Sequence, residues 1–308
     1  MSTAMLEPAL DAILRSVPGW ADAEFDVVPL EGGITNRNYV VTVDGSRYVL
    51  RVPGHDTALL GIDRANEHRA AVAAADAGVG PEVVAFLPDG GCFVSRFVDG
   101  AHIPQDELST GDALELVVTS LRALHACPPI PSTFPVFRIV ERYRETAAVR
   151  GVTIPPAYDD AHALADRIEA TFATSPSPLT MCHNDLLNAN FLRDGDHVWI
   201  VDYEYAGMGD VFFDLGNLAV NNGLDDEARE RLLHHYFLGD VLDRHRARLA
   251  LMTLMSDFRE AMWGVVQQAI STLDVDFVDY AGRHFARMLD GATSLALEDR
   301  LRAAAEPI

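Results

Sequence analysis

CHNDLLNAN, residues 182–190, packs a histidine, an aspartate and three asparagines into nine positions, directly before the apolar Phe191-Leu192. Asn, Asp and His are poor strand formers, and a cluster this dense reads as a loop. Asp185 and Asn190 lie five residues apart in it, and Asp202 follows twelve residues later, at the end of the apolar run VWIV. An aspartate and an asparagine on one loop, with a second aspartate at a nearby strand end, form the pattern of a phosphoryl-transfer site. In that pattern the first Asp accepts a hydroxyl proton, while the Asn and the second Asp hold Mg²⁺. Oxygen ligands suit this ion, which keeps its remaining positions for phosphate and water. The competing reading is an Asn/Asp-rich turn followed by an unrelated strand.

Features far upstream favour the first reading. In LEGGITNRN, Gly32 and Gly33 let backbone N–H groups approach phosphates, and Thr35 and Asn36 add donors. The loop lacks the third glycine of G-x-G-x-x-G, so taken alone it equally describes a hairpin turn. Arg51, in RYVLRVP, stands on the following strand where kinases place a lysine, and Glu67 on the next helix is its candidate partner. Arginine keeps its charge and offers a bidentate fork. All 24 basic residues are arginine. The lack of lysine excludes a Schiff-base lysine and the G-x-x-x-x-G-K-[ST] phosphate loop.

Composition narrows the partners. The 308 residues are enough for two modest lobes with substantial cores, and 49% apolar with 23% charged content is ordinary for a globular chain. A net charge of −22 disfavours nucleic acid and anionic membrane surfaces. No apolar run reaches the length of a membrane span, so no membrane insertion and a cytoplasmic location are expected. Cys92, Cys127 and Cys182 are scattered and odd in number, against both a disulfide framework and a thiolate zinc site.

Periodicity organises the chain. Residues 5–17 read as an amphipathic helix, and the two alternating runs around Asp44-Gly45 as a hairpin. An alanine-rich helix ends at Gly78 with Pro81 beyond, and EVVAFL and CFVSRFV form a further strand pair joined by PDGG. After a connector near residues 96–100 the pattern turns helical, over LELVVTSLRALHAC and around 138–149 and 158–174. HVWIV is a short strand, and the chain from FFDLGNLAV onward is largely helical. The expected class is α+β, with a small antiparallel-sheet lobe over 1–98 that binds nucleotide. A larger, mainly helical lobe over 99–308 carries catalysis and the acceptor.

CHNDLLNANFL, IVDYEYAGMGDVFFDLGN and GGITNRNYVV…YVLRVPG resemble the choline and ethanolamine kinases, particularly the bacterial choline kinases, from about residue 30 to about residue 290. That family is placed with the aminoglycoside phosphotransferases in the protein-kinase-like bilobal fold. The resemblance implies ATP and Mg²⁺, with Asp185 as catalytic base, Asn190 and Asp202 as magnesium ligands, and Arg51 on the ATP phosphates with Glu67 beside it. It also implies adenine contacts from the backbone around Arg96, Phe97 and Val98, a bracing role for Asp214, and a small amino-alcohol substrate. It is compatible with a homodimer.

The acceptor site is carried by MSDFREAMWGVVQQAIS, where Ser256, Glu260, Trp263 and Gln267 fall at helical spacing on one face. An indole face attracts an ammonium group by about 0.5–2 kcal/mol. The resemblance places Trp263 and Tyr280 in such a cage, and Glu204 balances the charge; ordinary helix–helix core is the competing reading of the two rings. Family members often carry a second tryptophan three residues after the first, where this chain has Val266, and an aromatic near NNGLDDE. Ethanolamine or a related amino alcohol needs fewer aromatic faces than choline. The alternatives are phosphorylation of an aminoglycoside or another hydroxylated metabolite, and a catalytically silent nucleotide-binding protein.

Overall fold

In the computed structural model, which describes residues 7–30, 36–54, 56–294 and 296–307, Asp44 and Gly45 both take positive φ (49° and 76°). Positive φ at both central residues is what a tight hairpin turn requires, because it matches the twist of the flanking strands. The turn joins β2 (Asn36–Val43) to β3 (Ser46–Pro53), paired from Val43↔Ser46 to Asn36↔Pro53. β1 (Asp26–Leu30) adds to β2, β5 (Cys92–Arg96) to β3, and β4 (Val83–Leu87) to β5, all antiparallel. The sheet order is therefore β1-β2-β3-β5-β4. One face covers a small core of Val41, Val43, Leu50, Cys92 and Val94, closed by Leu14 of α1 (Pro8–Ser16) and by Trp20. Trp20 meets Tyr48 edge-on at 5.0 Å.

Helix α2 (Arg64–Asp76) starts where Asp63 accepts from the Ala65 and Asn66 N–H groups. Its buried face, Asn66, Glu67, Ala70, Ala71 and Ala74, joins the larger core of the helical half. That half contains α3 (Gln105–Thr110), α4 (Ala113–His125), α5 (Val136–Val149), α6 (Ala157–Thr174), α7 (Val211–Asn221), α8 (Asp226–Phe237), α9 (Asp243–Ile270), α10 (Phe277–Ser294) and α11 (Leu297–Ala304). Two small ladders sit among these helices. One runs β6 (Ala101–His102), β8 (Phe191–Asp194), β9 (His197–Ile200), and the other pairs β7 (Thr180–Cys182) with β10 (Gly207–Gly209). The α+β architecture expected from the sequence is present. The helices near 138–149 and 158–174 begin slightly earlier, at Val136 and Ala157, each directly after a proline that closes the preceding loop.

Helix α9 is the spine of this half. Every residue from Leu251 to Gln267 is buried, so the helix is wrapped on all sides. Helix α7 crosses it closely at Gly216, where a β-carbon would stand 2.7 Å from the backbone of Met252 and Thr253. Gly216→Ala is expected to destabilise the protein by about 1–3 kcal/mol, the usual cost of overpacking. A urea midpoint equal to that of the parent would show that the two helices separate freely. Among the described residues no helix is long and apolar enough to cross a membrane.

Candidate active site

The loop of residues 183–190 leaves β7 and is braced from α7. Asp210 caps that helix by accepting from the Phe212 N–H. One turn in, the fully buried Asp214 accepts from the His183 N–H at 2.7 Å and the Asn184 N–H at 2.6 Å, and contacts His125 Nε2 at 2.9 Å. Asn217 accepts from the Leu186 N–H at 2.5 Å and donates to Ser256 Oγ of α9 at 3.0 Å. Asn222 donates to the Leu186 carbonyl at 2.9 Å. Asn184 sits at φ 67°, a left-handed conformation that Asn tolerates, and its amide donates to the Tyr205 carbonyl at 3.0 Å. His183 Nδ1 accepts from the Asp185 N–H at 3.2 Å, which leaves Nε2 to donate to the Val201 carbonyl at 2.9 Å. Burial lowers the pKa of this histidine, so it is neutral and holds the loop with both ring nitrogens.

This frame brings Asp185, Asn190 and Asp202 together. Asn190 Nδ2 donates to the Asp185 carbonyl at 2.8 Å, and the Val201 N–H donates to the Asn190 carbonyl at 3.0 Å. Asp202, at φ 71°, turns its carboxylate toward β3, where Arg51 Nη1 lies 2.6 Å from Oδ1. The same Nη1 donates to Glu67 Oε1 at 2.5 Å, so the expected Arg51–Glu67 pair is formed. Arg64 Nη1 takes Glu67 Oε2 at 2.6 Å and approaches Glu204 Oε2 at 3.4 Å, and Asn36 Nδ2 donates to that same Glu204 oxygen at 2.8 Å. Glu204 thus faces β2 and α2. The sequence reading missed Arg64; its signal was a position three residues before Glu67 on one helix, which puts both on the same face.

Of the residues expected around the nucleotide, Gly32, Gly33 and Thr35 lie outside the described residues. Arg96 ends β5 with its side chain exposed and paired with Glu82 at 3.1 Å. The Phe97 N–H donates to the Arg47 carbonyl at 3.1 Å, and the Arg47 guanidinium stacks 4.2 Å from the Phe97 ring, with Val98 next in the chain and half-buried.

The polar stripe of α9 faces the loop. Glu260 Oε2 accepts from the Tyr280 hydroxyl at 2.9 Å, and Oε1 pairs closely with Arg259 Nη1. Trp263 donates from Nε1 to the Tyr205 hydroxyl at 3.0 Å and meets Tyr280 and Phe277 edge-on at 5.7 and 5.9 Å. Gln267 is buried one turn further on, and Val266 is wholly enclosed. Arg259 was also missed, although it completes the same stripe of helix positions. Its Nη1 lies 3.3 Å from Asp185 Oδ1, and its guanidinium lies over the Tyr205 ring at 4.3 Å. Removal from solvent pushes the Asp185 carboxyl up to about 8, helped by the carboxylates of Glu260, Asp202 and Glu204 and opposed by Arg259.

His125, Cys182 and Asp214 are close enough to share a metal ion, within 4.8 Å. Their atoms are otherwise engaged: His125 Nδ1 meets the Tyr236 hydroxyl at 2.7 Å, both Asp214 oxygens hold the loop, and burial drives the Cys182 thiol well up. They form a hydrogen-bonded support.

The chain matches the phosphotransferase enzyme family (APH) over residues 26–251. The structure of a choline/ethanolamine kinase family protein from Mesorhizobium loti is similar over 96% of this chain and 98% of its own, with a TM-score of 0.83 and 32% identity. The chain belongs to the phosphotransferase enzyme family, in its choline/ethanolamine kinase branch. Protein LicA of Haemophilus influenzae is 28% identical over 211 residues, 67% of this chain and 61% of LicA. Ethanolamine kinase 2 of Rattus norvegicus is 27% identical over 310 residues, 90% of this chain and 79% of that protein. Membership in this branch gives the fold its name, protein-kinase-like, and gives the clustered acidic loop a phosphotransferase setting.

Proposed function

We propose that this phosphotransferase is an ATP-dependent kinase that transfers the γ-phosphoryl group to the hydroxyl of ethanolamine, choline or a related amino alcohol. The observation that carries the reading is the joining of two sites by α9. The Glu260–Trp263 face stands one guanidinium away from Asp185, and Asp185 shares its loop with Asn190, beside Asp202.

In this reading Asp185 accepts the acceptor's hydroxyl proton as the oxygen attacks. Asn190 and Asp202 suit Mg²⁺ by chemistry, a neutral amide oxygen and a carboxylate. The Asn190 amide nitrogen is committed to the Asp185 carbonyl, which orients the side chain and turns its oxygen the other way. Held there, the ion would supply positive charge to offset that of the transferring phosphoryl group. Arg51 keeps Glu67 as its anchor and exchanges Asp202 for a phosphate oxygen. Gly32, Gly33, Thr35 and Asn36 cover the phosphates, and the backbone of Arg96, Phe97 and Val98 borders the adenine. Residues 1–98 then form the nucleotide lobe and 99–308 the catalytic and acceptor lobe.

On the acceptor side, Trp263 and Tyr280 supply ring surface, Glu260 supplies negative charge and Gln267 closes the stripe, while Glu204, held by Asn36 and Arg64, adds its charge from the nucleotide side. A carboxylate beside a single indole favours an ammonium that still has N–H donors, since a quaternary ammonium has none to give. The test is turnover of ATP against ethanolamine, its methylated derivatives, choline, aminoglycosides and simple sugars. The highest kcat/KM is expected within the ethanolamine-to-choline series; turnover confined to aminoglycosides or sugars would reject the reading. Trp263→Ala is expected to raise KM for choline by about 2- to 30-fold, as loss of a cation–π contact does. The effect on ethanolamine should be smaller, and equal effects on both would assign the indole to core packing.

A further inference from the structure

Helix α9 buries two arginines, and the fold satisfies them differently. Arg248 donates from Nε to the Ala304 carbonyl at 3.2 Å, from Nη1 to Ser177 Oγ at 3.0 Å, and from Nη2 to the Ser175 carbonyl. Each of its three nitrogens thus has an acceptor, as suits a buried cation that serves the fold. Arg259, eleven residues on, is just as enclosed at 1% exposure, yet among the described residues its Nε and Nη2 have no acceptor. Nη1 does all the donating, and both its acceptors are carboxylates of the site, Asp185 and Glu260. A guanidinium buried in this way costs stability, and the face of Tyr205 offsets a part of that. Stability therefore does not explain why it is there.

The catalytic loop offers an explanation. Asp214, Asn217 and Asn222 hold the loop through its backbone, and none of them touches the Asp185 carboxylate. Among the described residues, the donor to that carboxylate is Arg259. We infer that Arg259 is a positioning residue that holds the Asp185 carboxylate toward the acceptor hydroxyl and shares that hold with Glu260 of the acceptor wall. Because one nitrogen serves both carboxylates, an acceptor ammonium that pairs with Glu260 leaves the guanidinium to Asp185. Acceptor binding and orientation of the base are thereby coupled. The inference rests on the reading of Asp185 as the base.

The test is a double-mutant cycle on the full chain, with the best acceptor from the panel. Arg259→Met is expected to lower kcat about 10- to 100-fold, the scale set by a misplaced catalytic group, while the Kd of a non-hydrolysable ATP analogue stays within about 2-fold. Arg259→Lys should recover part of the loss. In an Asp185→Asn background, Arg259→Met should cost less than about 3-fold more, because the group it positions is already gone. A near-parental kcat for Arg259→Met, or losses that multiply in the double variant, would overturn the inference. If Arg259→Met does not fold, the same cycle run with Arg259→Lys decides by the same criterion. Asp185→Asn is also read alone: a parental rate there rejects the base assignment itself, an outcome distinct from any in the Arg259 arms.

Discussion

Replacing Asp185 by alanine is expected to lower kcat about 10²- to 10⁴-fold, the range for loss of a general base, while nucleotide affinity is nearly unchanged. The separation of the two effects follows from the local bonding. Asn190 is fixed to the backbone carbonyl of Asp185, and Asp202 is set by its own backbone turn, so neither depends on the Asp185 side chain. The loop keeps its course through Asp214 and Asn217, which bond to the N–H groups of His183, Asn184 and Leu186. Steady-state turnover with the preferred acceptor, set beside titration of an ATP analogue, measures both quantities. A rate close to the parent's would remove Asp185 from the chemistry. A collapse of nucleotide affinity would instead mean that the side chain supports the phosphate side.

Asp214→Ala is expected to cost about 3–5 kcal/mol of stability, the scale for breaking a buried charged network by removing one partner. The carboxylate is fully buried, and its two oxygens serve two backbone N–H groups and the ring of His125. Alanine strands these groups without water, and each stranded donor costs about 1–3 kcal/mol. Urea unfolding of the variant reads the loss directly. Activity should fall too, because the loop that carries Asp185 loses its anchor. An unfolding midpoint like the parent's would show that the helix α7 carboxylate is not what holds the loop.

Much of this arrangement is local enough to be read from the chain. The Asp44-Gly45 hairpin depends on two residues that accept positive φ, and the loop of residues 182–190 on residues that favour turns. The Arg51–Glu67 pair followed from a strand followed by a helix in the order a kinase uses. What escaped depends on partners distant in sequence. Glu204 meets Asn36 and Arg64, 168 and 140 positions away, and nothing in the run DYEY indicates those neighbours. Arg259 occupies the helix face already singled out for Ser256, Glu260 and Trp263, but periodicity gives a direction without saying what lies opposite. The ladders β6–β8 and β7–β10 pair over two and three positions, too few to carry an alternation.

The three tryptophans, Trp20, Trp199 and Trp263, fall in three separate pieces of the molecule. Trp20 lies under the five-stranded sheet, Trp199 in the β8–β9 hairpin that follows the loop of residues 183–190, and Trp263 on the buried length of α9. The protein thus carries a native fluorophore in each. Replacing any two by phenylalanine leaves one emission that follows a single piece. The order in which sheet, hairpin and helix α9 come apart in denaturant is then readable without an added label. The Trp263 signal also gives a direct optical titration of whatever binds beside Glu260.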